Sequence, residues 1–581
     1  MTPFQQLAQA SPITTADMGY LPHILLGIYM LVLVWLCYLG YKKGQATEVD
    51  YYLAGRGQGP VVTSLTIMAT MFSSAALLGI PGTVYRDGLA FVPFALNLTV
   101  GGIGIYLLGS RIHKLGKARG YVTPADLIGD YYQGTTIRLL ATFTGAMYVL
   151  PYVIMQIKAG GYLAEQLFPG AQPVTFMGEQ FDMFRIGVWA LSLLTTAYVL
   201  IGGMRSVAWT DVIQGFLLLT GMLVAGLATV LYFQKNGGFF NAVSQLPAEA
   251  QSLPGASGKW TPLMMLSICL FAALGAIIQP GQWMRFYAAD SVKTLRQSAL
   301  TFAIVLPFCF IFGIMLVALG ARSEFPPEYK FTDEQKEQMA NWTPTEASTQ
   351  KPILHPHESF GPSPADTDKA VIVMTQHAVP QVFGQAFGTF IVTLILIAVL
   401  AASMSTADSN LHALSAILTR DVYDRYIHPS ATEKEKTWFG RIVIILATMS
   451  AVLFVEMGEN ANNFNPLTLI TQLMFLAIAF SSQLLPLAID CLYLHKGTRA
   501  GALAGLATGI ITVLLFGPFP ALLLNESHPA VASLLSFTSA AKSHLHISAI
   551  GILANAAVFT IVSCLTPKLS PYHLRKFKEV I

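Results

Sequence analysis

Long apolar runs dominate the chain and are separated by short polar stretches, with little of the strict alternation that marks half-buried strands. A membrane-crossing helix needs roughly 20 apolar residues, and that rule predicts about thirteen helices. They cover 21–41, 60–83, 89–110, 135–165, 184–202, 207–233, 262–283, 296–321, 376–416, 437–457, 464–493, 499–519 and 545–566. One of these runs departs from the pattern. Leu400 to Tyr423 continues an apolar stretch yet carries Ser403, Ser405, Thr406, Asp408, Ser409 and Ser415. Polar groups at membrane depth are costly and usually face a cavity, a partner or an ion. On a helix, Ala402, Ser405, Thr406 and Ser409 stand at i, i+3, i+4 and i+7 and share one face. That face offers hydroxyl oxygens to a hard cation such as Na+, and it reads as half of a cation site inside a bundle.

The second span, from Ser64 to Gly82, carries Thr66, Thr70, Ser73 and Ser74, and its Gly79-Ile-Pro-Gly82 sequence predicts a weakened helix near one end. Unwound backbone is tolerated in a membrane only where its carbonyls line a cavity or bind something. The same small residues also suit close helix packing; opposite the Ser405/Thr406 stripe, the cation-site reading is the better one. A second interruption, Gln279-Pro-Gly-Gln282, closes the seventh span. Broken helices at matching positions of two halves point to a transporter's midplane site. The chain therefore divides as one membrane domain: a leading helix and inner loop (1–59), a first repeat (60–233), a second repeat with an outer loop at 323–368 (262–493), and C-terminal helices and tail (494–581). The repeat rests on span order alone.

Composition narrows the class. Hydrophobic residues make up 54% of the 581 and charged residues 11%, with a mean hydropathy of +0.56. A soluble domain carries about 25% charged residues, so this is a polytopic membrane protein embedded in a lipid bilayer. A net charge of +3 is too small to imply nucleic acid. With the amino terminus outside, Lys42-Lys43, Arg111 to Lys114, Arg285 to Arg296, Arg420 to Arg441 and Arg575-Lys576 fall in inner loops, as the positive-inside rule expects. That predicts a plasma membrane location, bacterial inner membrane in style, with the carboxyl terminus cytoplasmic. The first twenty residues hold no basic residue, so no cleavable signal is expected. The five cysteines show no CxxC spacing, which argues against a disulfide framework or zinc site. The 323–368 loop reads as a solvated excursion more than a lid, and Asn341-Trp-Thr343 is a weak glycosylation match. His113, His355, His357, His495, His544 and His546 read as mostly surface residues. Among intramembrane charges, Asp211 suggests a cation ligand, a proton carrier or a cap. Lys158 suggests a snorkelling side chain, a structural pair or an anion's partner.

Tyr52-Leu-Ala-Gly-Arg56, Gly202-Gly-Met-Arg-Ser-Val-Ala-Trp-Thr-Asp-Val-Ile-Gln214, Ser405-Thr-Ala-Asp-Ser409 and Leu418-Thr-Arg-Asp-Val-Tyr423 together resemble the sodium:solute symporter family, which includes the sodium/proline, sodium/pantothenate and sodium/glucose cotransporters. The resemblance implies an all-α bundle of about 13 transmembrane helices with a leucine-transporter-like core of two inverted five-helix repeats. It implies Na+ as the coupling ion, held by the carbonyls of Ala69, Phe72 and Ala402 and the hydroxyls of Ser405 and Thr406. A second Na+, where relatives bind one, matches Asp211, Ser405, Asp408 and Ser409. Substrate contacts are expected from Ser73, Ser74, Gln156 and Gln282, with Lys158 as a further candidate. The chain departs from the pattern at Met71, where sodium/proline symporters carry an Asp, and at Gly281, where many relatives have a His. Met71 puts proline-like amino acids in doubt as substrates.

The implied function is Na+-coupled import of a small organic solute by alternating access, leaning to a monocarboxylate or similar organic acid. The alternative is a proton-coupled or uncoupled carrier on the same fold, with Asp211 or Asp408 as the proton site. A symporter-like sensor would need a signalling domain, and the chain ends about fifteen residues beyond the last expected span. A membrane enzyme is not expected, because no HExxH cluster or nucleophile elbow is present. The pattern carries no signal for an oligomeric state.

Overall fold

The computed structural model describes residues 20–44, 47–168, 171–176, 178–326, 366–460, 470–524 and 528–581. The amino-terminal residues before 20 and most of the 323–368 loop, with Asn341, His355 and His357, lie outside the described residues, as does the start of the expected 464–493 span. Among the described residues the secondary structure is helical apart from an isolated bridge and one two-stranded hairpin, Val174–Phe176 against Glu179–Phe181.

Among the described residues, ten helices are long and apolar enough to cross a membrane, and a pair bent by 53° makes eleven. The expected count of thirteen is not confirmed. Some pieces run longer than one span: a 53-residue helix covers two of the expected spans, and continuous helix from Ala75 to Arg119 joins the end of the second span to the third. The helices that position the site are α1 (Leu21–Lys43), α2 (Pro60–Met71), α3 (Ile80–Asp87), α4 (Pro124–Tyr131), α5 (Thr135–Leu167), α6 (Met183–Lys235), α7 (Ala273–Ile277), α8 (Pro280–Ala288), α9 (Val292–Cys309), α10 (Gln385–Leu418), α11 (Glu433–Asn460) and α12 (Ile470–Ser481). α10 is the hub, buried over almost its whole carboxyl-terminal half and packed on α5 and α6. α1 lies outside this core with Leu31 and Trp35 exposed, as suits a helix facing lipid.

The 53-residue α6 turns at Gly203, between the two spans expected there. Its φ of +57° and ψ of −166° lie in a region that L side chains rarely adopt. A Cβ at this position would also stand 2.8 Å from the Tyr51 ring. Gly203→Ala is therefore expected to cost about 1–3 kcal/mol, read as a lower unfolding temperature of the purified protein.

The Tyr52-Leu-Ala-Gly-Arg56 motif forms a knuckle. Ala54, Gly55 and Arg56 all have positive φ. The Tyr52 hydroxyl lies 3.3 Å from Ser415 Oγ and donates to Thr419 Oγ1 at 3.2 Å, while Arg56 donates to the Tyr121 carbonyl at 2.7 Å. Nearby, Thr123 and Asp126 form a capping box that starts α4. The buried Asp126 carboxylate gathers Arg138 at 2.9 Å, Arg420 at 3.0 Å and Arg425 at 2.9 Å. Arg420 reaches on to Glu48 at 2.8 Å. These ion pairs tie α4, α5, the helical turns Thr419–Ile427 that follow α10 and the segment before α2 into one end of the bundle.

Two histidines differ from expectation. His113 is buried within a helix with Nδ1 2.9 Å from the Phe286 carbonyl, and His546 is buried at a helix amino terminus, accepting from the Ser548 amide. Surface loops are polar because they are solvated; these two rings are enclosed where one nitrogen finds a backbone partner.

Candidate cation and substrate site

α2 ends at Met71, and Phe72 is extended (φ −88°, ψ 93°) before a π-helical turn, Ala75–Gly79, leads into α3. The break thus lies seven residues before the Gly79-Ile-Pro-Gly82 sequence that had been expected to weaken the helix. Those glycines serve packing. A Cβ on Gly79 would meet the Thr471 amide nitrogen at 3.0 Å, and one on Gly82 the Thr367 carbonyl at 2.8 Å. The actual break contains neither Gly nor Pro. Side chains hold it: Ser73 Oγ accepts from the Ala75 amide at 3.2 Å, and Gln156 Oε1 accepts from the Ser74 amide at 3.0 Å and the Ser74 hydroxyl at 2.8 Å.

Interrupting the ladder leaves the Ala69 carbonyl without a helical amide donor. It turns to α10, where the Ser405 and Thr406 hydroxyls each donate to it at 3.3 Å. Ser405 Oγ is also 3.1 Å from the Ala402 carbonyl. A hard cation bound at roughly 2.4 Å has neighbouring ligand oxygens roughly 3.4 Å apart, and these three oxygen–oxygen separations are compatible with that. Ala69, Ala402, Ser405 and Thr406 are brought together, and Phe72 is the extended residue that ends α2 three positions after Ala69.

One turn along, Asp211, Asp408 and Ser409 also meet, but around a residue that the sequence reading had assigned to an inner loop. Arg285, on α8, is buried. It donates from Nε to Thr66 Oγ1 at 2.9 Å and from Nη2 to Asp211 Oδ2 at 3.0 Å and to Ser409 Oγ; Nη1 donates to the Gly281 carbonyl at 3.1 Å. The Thr66 hydroxyl donates to Asp211. Asp408 accepts from the Tyr198 hydroxyl at 2.6 Å and the Ser409 hydroxyl at 3.0 Å. Sequence reasoning missed Arg285 because a cation just beyond Pro-Gly resembles a loop residue. α7 and α8 are indeed broken at Ile278–Gln279, yet α8 continues into the protein. Tyr198 was missed as one aromatic in an apolar run.

A cavity of about 40 Å³ lies beside the break, lined by Met71, Phe72, Ser73, Asn97, Tyr152 and Phe310 among others. Phe72 and Phe310 meet edge to face across it, with ring centres 5.4 Å apart. Ser73 lines this space; Ser74 and Gln156 bond one another behind it, and Gln282 Nε2 donates to the Ile67 carbonyl at 3.0 Å. Lys158 does not line it. Its ammonium lies 5.8 Å from the Tyr162 ring centre and within electrostatic range of Asp368.

The sequence pattern of the Sodium:solute symporter family matches residues 51–341 and 349–509. The chain is 27% identical to the sodium/proline symporter of Haemophilus influenzae over 474 residues, covering 80% of this chain and 82% of that one. It is 26% identical to the osmoregulated proline transporter of Bacillus subtilis, covering 85% and 88%, and 24% identical to the sodium/proline symporter of Escherichia coli, covering 86% and 89%. Among solved structures, a Na+-coupled sialic acid symporter in a substrate-bound outward-open state superposes with a TM-score of 0.67 at 18% identity, over 95% of this chain and 99% of that one. A nucleobase-cation-symport-1 family transporter in a closed conformation gives 0.51 at 12% identity, over 91% and 98%. A helix broken without glycine against a Ser-Thr stripe, in a bundle of this architecture, thus comes with a family pattern matched across most of its length, and the chain belongs to the sodium:solute symporter family.

Proposed function

We propose that this chain imports a small amphipathic solute together with Na+, the ion held by the carbonyls of Ala69, Phe72 and Ala402 and the hydroxyls of Ser405 and Thr406. The observation that carries the reading is the pair of α10 hydroxyls aimed at the Ala69 carbonyl where α2 unwinds. Na+ at that point draws the broken end of α2 against α10. The same break supplies Phe72 and Ser73 to the cavity wall, so ion and solute each strengthen the other's binding reciprocally. With the Arg420 end of the bundle in the cytoplasm, as the charge bias favours, a cytosol-negative potential contributes about 2.3 kcal/mol per 100 mV for each charge moved inward. Rocking of the halves 60–233 and 262–493 would alternate access. At about 40 Å³ the cavity has room for a few waters only, so a solute enters after Phe72 and Phe310 part.

Proline is the first solute to test. The cavity walls are apolar with a few neutral polar groups, Ser73, Asn97 and Tyr152. A zwitterion with an apolar ring suits them better than a bare anion, and the curated relatives named above transport proline. Met71 in the wall supports a second reading, a small monocarboxylate, because it offers an amino group no carboxylate partner.

The test is uptake of radiolabelled proline, pantothenate and small monocarboxylates into proteoliposomes under inward Na+ or H+ gradients. Uptake of one of these that requires the Na+ gradient is the expected result. Uptake that follows the pH gradient and ignores Na+ overturns the assignment in favour of a proton carrier working through Asp211 or Asp408.

A further inference from the structure

Among the described residues, the Asp211–Asp408 cluster already contains a cation: the Arg285 guanidinium. We infer that Arg285 takes the place of a second Na+, so that the chain binds a single Na+ per cycle.

Several observations support this. Arg285 and Asp211 are both buried and pair directly at 3.0 Å. The guanidinium spends its donors on Thr66, Asp211, Ser409 and the Gly281 carbonyl. Asp211 and Ser409 are two of the oxygen-bearing side chains that a second Na+ would need, and the Ser409 oxygen that would ligate the ion is the one accepting from Arg285. Its hydroxyl proton is shared between Asp408 and the Ser405 carbonyl. A metal ion could reach that oxygen only by displacing a tethered charge of the same sign. Asp211 Oδ1 has no hydrogen-bond partner; it is the oxygen that would turn to Na+ if the guanidinium were gone.

The charge balance points the same way. Arg285 pairs with Asp211 at 3.0 Å, while Asp408 is held by neutral donors, the Tyr198 and Ser409 hydroxyls. A planar, permanently charged fork suits this position because it satisfies carboxylate, hydroxyl and carbonyl acceptors in fixed directions. Arg285 is a positioning residue that sets the coupling ratio.

The inference rests on the Na+ site proposed above, and equilibrium binding of radiolabelled Na+ to the purified full-length protein separates the two. Wild type is expected to bind one Na+ per chain, lost in Thr406→Ala. Arg285→Gln should bind one more than wild type, and the gain should vanish when Asp211→Asn is added. Arg285→Lys, which keeps the charge, should not gain it. Two Na+ bound by wild type, or no gain in Arg285→Gln, overturns the inference. If wild type binds none while Arg285→Gln binds one that depends on Asp211, the Thr406 site falls and the role of Arg285 stands. Should Arg285→Gln fail to fold, the wild-type count decides alone: one supports the inference and two refutes it.

Discussion

The double substitution Ser405→Ala, Thr406→Ala is expected to abolish Na+-driven uptake while leaving the protein folded in the membrane. Each hydroxyl faces the Ala69 carbonyl at 3.3 Å, and both are fully buried. An oxygen that contacts a charge contributes about 1.5–3 kcal/mol, so losing two raises the Na+ concentration for half-maximal uptake by a factor of roughly 10² to 10⁴. Stability should fall by less, about 1–3 kcal/mol, because the substitutions remove small polar groups and leave one buried acceptor, the Ala69 carbonyl, without its donors. The check is uptake against external Na+ in proteoliposomes, with size-exclusion profiles of the purified variants beside it. An unchanged Na+ dependence would refute the assignment of both residues.

The second large effect is on stability and concerns Asp126. Replacing it by alanine leaves Arg138, Arg420 and Arg425 without their shared carboxylate and removes one half of the α4 capping box. Breaking a buried ion pair by deleting one partner costs about 3–5 kcal/mol. Arg425 is 39% exposed, so its share is screened and the lower end, about 3 kcal/mol, is expected. Asp126→Asn should fall between wild type and alanine, because it keeps a side-chain oxygen for the Val122 amide. The unfolding temperature in detergent measures both. The pH dependence has a definite sign. Burial by itself would raise the Asp126 carboxyl, but Arg420, the Val122 amide, Arg138 and Arg425 outweigh it and hold it below the usual carboxylate value. Its contribution is therefore complete above the unfolded value near 3.9 and is lost only as pH falls below that. The difference between wild type and Asp126→Ala should shrink as pH falls through the carboxylate range.

Much of this molecule is legible in the order of its residues. The Ser405/Thr406 stripe lies where helical periodicity puts it, because α10 is regular through that stretch and its face is set by spacing alone. Gly203 and Gln279-Pro-Gly281 mark real turns, since each combines a flexible or ring-restricted residue with an apolar run on both sides. The break in α2 was not legible. Met71-Phe72-Ser73-Ser74 has no residue that forbids a helix, and what opens it lies on α5 and α10, far away in sequence. Arg285 escaped for a related reason: nothing local shows that Asp211, Thr66 and Ser409 wait for it across the bundle. Lys158 was an intramembrane charge with several local explanations, and only the position of Asp368 separates them.

The break without glycine has a consequence for how the protein comes to exist. A kink written into the backbone by proline or glycine is present as soon as its helix forms. The one at Phe72 is conditional: Gln156 must reach Ser74, and Ser405 and Thr406 must face Ala69, before a bent α2 is preferred over a straight one. The proposed ion site therefore cannot be inherited from an early helical intermediate. It emerges at the end of assembly, after segments more than 300 residues apart have met, and competence to bind Na+ becomes a report that the whole bundle has closed.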